Sequence, residues 1–138
     1  MSSRPITKNI LSYIENHLDD ELSLEKIAEE LNYSRFYIAR VFRENTGLTL
    51  YRYIRGRRLN ESARKLTETK LSVIEIAFLA GYHSQQAFTQ AFHREYDCTP
   101  QEYRRIGVFV PRRDKIEMRV SGKCSFHAIR LAGEEMAA

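Results

Sequence analysis

Apolar residues recur at helical spacing along most of this chain, and capping and turn residues interrupt the pattern at intervals. Ile6, Ile10, Tyr13, Ile14 and Leu18 mark a first helix from Pro5 to about His17, which ends in the polar break Asp19-Asp20-Glu21. Ser23 is placed to cap a helix running to Leu31, with Leu24, Ile27, Ala28 and Leu31 facing inward. Asn32 sits at the turn that follows, because asparagine tolerates a left-handed backbone. Ser34 caps the next helix, about 35–45, and Gly47 stops it. Thr49 opens a longer helix reaching about Leu66, whose apolar side is Leu50, Ile54, Leu59, Ala63 and Leu66. Gly56 inside that helix costs roughly 0.5–1 kcal/mol relative to alanine, so packing must offset it or a bend must sit there.

The second half repeats the scheme. Ile27-Ala28 followed by Asn32-Tyr33-Ser34 returns about fifty residues later as Ile76-Ala77 followed by Gly81-Tyr82-His83-Ser84. Ser72 with Glu75 three residues on is a capping box, and the helix it starts turns Val73, Ile76, Ala77 and Ala80 inward. Gly81 supplies the turn, and Ser84 caps a helix from Gln85 to about Glu95. Thr99-Pro100-Gln101-Glu102 combines an N-cap, a proline at the first helical position and a glutamate at the third, which starts a closing helix at about 100–106. A short helix, a turn and a helix with one polar face form a helix-turn-helix, and the pattern occurs twice. The expected architecture is all-α, with 1–106 as one DNA-binding domain. Its first helix-turn-helix lies at about 23–45, a linker helix at about 49–66 and a second helix-turn-helix at about 72–95.

After Gly107 the character changes. Val108-Phe109-Val110-Pro111 has an extended tendency, and Lys115–Val120 alternates charged and apolar residues as an edge strand would. Residues 107–138 fit a disordered tail, a small β appendage or the start of a further domain, and a mostly mobile tail is the preferred expectation.

Charge sharpens the picture. The chain has 138 residues and a net charge of +4, but the charge is unevenly placed. Residues 1–33 hold three Lys/Arg against seven Asp/Glu, whereas 34–70 hold ten against three. The basic block coincides with the first helix-turn-helix and points to a polyanion, double-stranded DNA. A recognition helix needs one apolar face to dock and one polar face to read the major groove. In 35–45 the inward set is Ile38, Val41 and Phe42, and the outward set is Phe36, Ala39, Arg40 and Arg43. Arg40 can donate two hydrogen bonds to guanine, and Phe36 and Ala39 can touch thymine methyls. Arg35 or Arg43 is expected to hold phosphate, which sets register rather than sequence.

In 85–95 the inward set is Phe88, Ala91 and Phe92, and the outward set is Gln85, Gln86, Thr89, Gln90 and His93. Glutamine pairs bidentately with adenine and threonine meets a thymine methyl, but with no arginine reader this second probe discriminates more softly. His93 is a phosphate candidate, as are the capped helix starts at Ser34, Ser84 and Thr99, through their free N–H groups and the helix dipole. In the linker, Arg52, Arg55, Arg57 and Arg58 are expected to lie near the DNA backbone or to pair with Glu61, with Arg55 and Arg58 as phosphate contacts. A helix over 49–66 spans about 27 Å, against roughly 34 Å between successive major grooves on one face of DNA. Bending the DNA can make up the difference. One chain lacks a two-fold axis, so the expected site is asymmetric and roughly 20 base pairs long.

Other classes fare worse. Four histidines (His17, His83, His93, His127) and two cysteines (Cys98, Cys124) lack metal-ligand spacing. There is no nucleophile elbow and no phosphate-cradling glycine loop, so neither a catalytic residue nor a cofactor is expected. Two cysteines without a framework spacing fit a reducing compartment, and no apolar run approaches the ~20 residues that span a bilayer; the expected location is cytoplasmic. The rival reading is a helix-turn-helix module that binds only protein, with the acidic stretch 15–30 facing a basic partner.

Several stretches resemble the AraC/XylS family of bacterial transcription regulators, most closely its short stress activators. They are Leu22-Ser23-Leu24-Glu25-Lys26-Ile27-Ala28, Tyr33-Ser34-Arg35-Phe36, Phe42 with Thr46-Gly47, Tyr53-Ile54-Arg55-Gly56-Arg57-Arg58-Leu59 and Ser84-Gln85-Gln86-Ala87-Phe88-Thr89, closing with Phe92, Thr99-Pro100 and Tyr103-Arg104. The likeness covers about 6–106 in one continuous register. It implies two three-helix subdomains on a long helix, a monomer on degenerate promoter sites, and recruitment of RNA polymerase through the C-terminal domain of its α subunit or through σ factor. By position it puts Phe36 and Arg40 near bases in the first probe and Gln85 and Gln86 in the second, and it carries Arg104 over as a backbone contact. Phe36, Ala39 and Gln90 stand where those activators have Trp, Gln and Arg. With no effector domain ahead of the helices, control by the protein's own abundance is expected.

Overall fold

Every helix after the first begins where the sequence places a cap. The computed structural model describes residues 3–112, and within them seven helices form in order: α1 (Arg4–Asn16), α2 (Leu24–Leu31), α3 (Arg35–Thr46), α4 (Leu50–Glu68), α5 (Val73–Leu79), α6 (Gln85–Tyr96) and α7 (Pro100–Ile106). Ser23, Ser34, Thr49, Ser72, Ser84 and Thr99 each accept a hydrogen bond from the backbone N–H three residues on. An orphan donor of the first turn is thereby satisfied at every one of these starts. Pro5 and Pro100 sit in first turns, where a missing N–H costs nothing. Four of the seven helices stop at left-handed residues: Asn32 at φ 64°, Gly47 at 78°, Asp97 at 61° and Gly107 at 77°. Asp97 is the second-half counterpart of Gly47, a role that the sequence pattern does not announce.

α4 is more than a linker. Its first half gives Leu50, Tyr53 and Ile54 to a core with Ile10, Ile14, Ile27, Ile38 and Phe42. Its second half gives Leu59, Ala63 and Leu66 to a second core with Ile76, Phe88, Phe92 and Tyr103. The helix runs unbroken through Gly56, which is buried. Two apolar cores strung on one helix are the packed form of the repeat. In the second core Phe92 stacks on Tyr96 at 4.5 Å and meets Tyr103 edge-on at 5.4 Å.

Polar contacts tie α1 to α3 and α4. Asn45 donates to the hydroxyls of Ser3 and Thr7. Arg57, only 5% exposed, grips the Glu15 carboxylate through Nε at 2.8 Å and Nη2 at 2.9 Å, and reaches Glu61 at 3.3 Å. Burial works against the charge on Arg57, but its bonds to Glu15 and the Glu61 charge outweigh that and hold its pKa above the usual arginine range.

The expected mobile tail needs correcting at its start. Beyond Gly107 the chain packs back on the second core through Phe109, which lies beneath the Arg64 guanidinium. Val110 N–H donates to the Tyr103 hydroxyl and Arg112 N–H to Asn60 Oδ1. Partners elsewhere in the fold hold this segment, and local pattern does not reveal them. The expectations for 113–138, including a strand at Lys115–Val120, lie outside the described residues.

The two capping boxes carry a pH signature. Glu75 and Glu102 each accept a backbone bond from their own N-cap residue, which lowers their pKa below the ordinary 4.5. A depressed carboxylate stabilises the fold above its unfolded value, and the effect is lost as pH falls through the folded value. Glu102→Gln is therefore expected to lower Tm at neutral pH, and the gap should close in paired thermal melts as pH falls below the ordinary glutamate range.

Candidate nucleic-acid interface

α3 and α6 are built alike. Ser34 and Ser84 cap them, and Ile38, Val41 and Phe42 in one, Phe88, Ala91 and Phe92 in the other, are buried. A helix docked by one apolar stripe presents the opposite side outward. On α3 that side carries Phe36, 74% exposed, together with exposed Arg40 and Arg43 and half-buried Ala39. On α6 it carries exposed Gln86, Gln90 and His93 with half-buried Gln85 and Thr89. The inward and outward sets thus fall where the sequence spacing put them.

Neighbours restrict some of these side chains. Arg35 Nη1 bonds Glu25 Oε2 at 3.0 Å, and its guanidinium lies over the Phe36 ring at 5.0 Å. The Glu25 carboxyl is held below the usual range, first by a backbone hydrogen bond and then by Arg35. Arg40 stacks over Tyr37 at 5.4 Å, a cation–π contact that orients a long side chain without using up its donors. The hydroxyls of Ser34, Ser84 and Thr99 accept cap bonds.

The basic residues of α4 divide into two groups. Arg57 is buried against Glu15, and Arg58 donates through Nε to the Leu18 carbonyl at 3.0 Å and through Nη2 to the Asp20 carbonyl. Arg104 on α7 does the same for the loop after α4, donating to the carbonyls of Leu66 and Leu71. Fork-shaped donors are well suited to loop carbonyls, which have no helical partner. Arg58 and Arg104 therefore serve the body of the protein. Arg52 is exposed, and Arg55 bonds the Tyr82 phenol, whose pKa burial raises and Arg55 partly lowers.

A cleft of about 430 Å³ brings parts of both halves together. Ala39 of α3, Tyr51 and Arg55 of α4, and Tyr82 of the turn before α6 all line it. Tyr51 is 72% exposed, and sequence reasoning missed it. An aromatic residue opening a basic run, Tyr51-Arg52, was the available signal. Among the described residues no helix is long and apolar enough to cross a membrane.

A profile for a helix-turn-helix domain matches residues 27–106. The regulatory protein SoxS of Salmonella typhimurium is 40% identical over 104 residues, covering 75% of this chain and 97% of that protein. The multiple antibiotic resistance protein MarA of the same organism is 40% identical over 96 residues, covering 70% and 76%. Among solved structures, the DNA-binding domain of the global transcriptional factor AdpA, in complex with a target DNA, aligns with TM-score 0.67 at 26% identity, covering 72% of this chain and 90% of that one.

Proposed function

Because the chain belongs to the AraC-type helix-turn-helix family of DNA-binding transcription regulators, we propose that it is an activator acting as a monomer on an asymmetric site of roughly 20 base pairs, one major groove per recognition helix. The observation that carries this is the duplication: two capped helices, each docked by a buried stripe and each showing a polar face, in a single chain. Phe36, Ala39 and Arg40 read the first half-site, and Gln85, Gln86, Thr89 and Gln90 read the second. Arg43, Arg55 and His93 hold phosphates, with Tyr51 beside Arg55 in the cleft. The helix starts at Ser34, Ser84 and Thr99 add anion-binding N–H groups while their hydroxyls stay in the caps. Arg35 shares its charge with Glu25, which weakens its hold on phosphate, and Arg58 and Arg104 are left out of the interface.

Bound to its site, the protein recruits RNA polymerase through the C-terminal domain of the polymerase α subunit or through σ factor. By likeness to SoxS and MarA, its promoters serve stress and antibiotic-resistance responses. Its place of action is the cytoplasm.

Fluorescence anisotropy on a MarA-type duplex of roughly 20 base pairs and a scrambled control, across a salt series, tests the proposal. Tight binding to the site over the scramble, weakening steeply with salt, is expected. Equal binding to both moves the specificity elsewhere, and no DNA binding at all leaves a protein-only module.

A further inference from the structure

The two copies of the repeat differ at one turn. In the first, Asn32 takes a left-handed conformation at φ 64°. Its counterpart is Gly81 at φ 91°, and a Cβ there would lie 2.5 Å from Nη1 of Arg58. The turn before α6 therefore needs glycine for its backbone conformation, and the guanidinium of Arg58 packs directly on it. The other two nitrogens of that guanidinium donate to Leu18 and Asp20, in the loop between α1 and α2. One side chain on α4 thus touches a loop of the first unit and a turn of the second. The same loop and turn face each other across a cavity of about 390 Å³ that Arg58 also lines. The two apolar cores are separate clusters, so beyond the shared helix α4 no common core fixes one unit against the other.

From this we infer that Arg58 is a positioning residue: it pins the two units at one separation and so selects the spacing between the half-sites. The inference rests on the DNA-reading proposal above. Moving one half-site by a base pair shifts it by about 3.4 Å along the axis and rotates it by roughly a tenth of a turn. A rigid junction must reject that shift, and a loose one absorbs it. Gly56, two residues before Arg58 in α4, gives the helix little stiffness of its own there.

The test measures affinity for a selected site and for versions with one base pair inserted or removed between its halves. The native chain is expected to reject both altered spacings. Arg58→Met is expected to reduce that rejection by about tenfold or more, the scale of one charge-assisted hydrogen bond. Penalties for base changes within each half should stay as they were, and Arg58→Lys should restore the spacing preference in part. An equal loss at every spacing would make Arg58 a phosphate contact and overturn the inference, as would an unchanged preference.

A second arm needs no DNA. Spin labels at Glu44→Cys and Arg94→Cys, both exposed, in a Cys98→Ser/Cys124→Ser background report the α3–α6 distance. A narrow distribution that broadens in Arg58→Met supports the pin, and an unchanged one removes it. Should the native chain show no site-specific binding, the DNA-reading proposal fails while this distance still decides the role of Arg58. Should Arg58→Met not fold, Arg58→Lys, which keeps the charge but loses the fork, is read in both assays.

Discussion

Glu15→Ala is expected to cost about 3–5 kcal/mol of stability, because it strands a buried arginine. Arg57 is nearly inaccessible, and Glu15 takes both of its forked bonds as well as one from the Tyr53 hydroxyl at 3.1 Å. Removing the carboxylate takes away both of these bonds, while the contact with Glu61 at 3.3 Å stays. Arginine cannot shed its proton to escape the cost, as a lysine in the same place would. The damage should centre on the seat of α1 against α4, since the contacts that remain, such as those from Asn45 to Ser3 and Thr7, lie at the other end of α1. Urea melts of the native chain, Glu15→Ala and the pair Glu15→Leu/Arg57→Met separate the causes. A paired apolar replacement that regains most of the loss identifies stranded charge as the penalty. A loss under about 1 kcal/mol for Glu15→Ala would mean that the contacts left to Arg57 satisfy it, and stranded charge would fall as the explanation.

What the sequence revealed, and what it hid, follow from the range of each interaction. Caps, boxes and left-handed stops act over three or four residues, so Ser23, Ser34, Thr49, Ser72, Ser84 and Thr99 could be placed from the chain alone. The inward sets of α3 and α6 were legible because a 3.6-residue period fixes which side chains share a face. The arginines were not. Arg55, Arg57 and Arg58 stand within four positions on one helix, yet one meets Tyr82, one Glu15 and one the carbonyls of Leu18 and Asp20. Those partners lie far off along the chain, and a basic run reads the same whether it faces DNA or a loop. The docking of Phe109 and Val110 was hidden likewise: its anchors, Arg64 and the Tyr103 hydroxyl, give no signal in the segment they hold.

For reading DNA, the largest single effect is expected from Arg40→Ala: a loss of about 1–3 kcal/mol, or roughly 5- to 150-fold in affinity, at a site carrying guanine opposite it. Three features single out Arg40 among the basic residues of α3. It is exposed in the middle of the helix on the face opposite the buried stripe, the face that the proposal sets against the bases. The Tyr37 ring orients its guanidinium from one side and leaves the donors open. Arg35, by contrast, is tied to Glu25, and Arg43 lies in the last turn, where the proposal gives it a phosphate. A base reader and a phosphate anchor lose affinity differently. Arg40→Ala should relax the preference at one base position and leave binding to scrambled DNA nearly unchanged. Arg43→Ala should weaken all sequences alike and lower the salt slope by about one. Titrating both variants against the site, the site with that guanine replaced and a scramble assigns each role. If Arg40→Ala lost affinity equally on all three, Arg40 would be an anchor, and base reading by α3 would fall to Phe36 and Ala39, whose contacts with thymine methyls carry less discrimination than a bidentate pair.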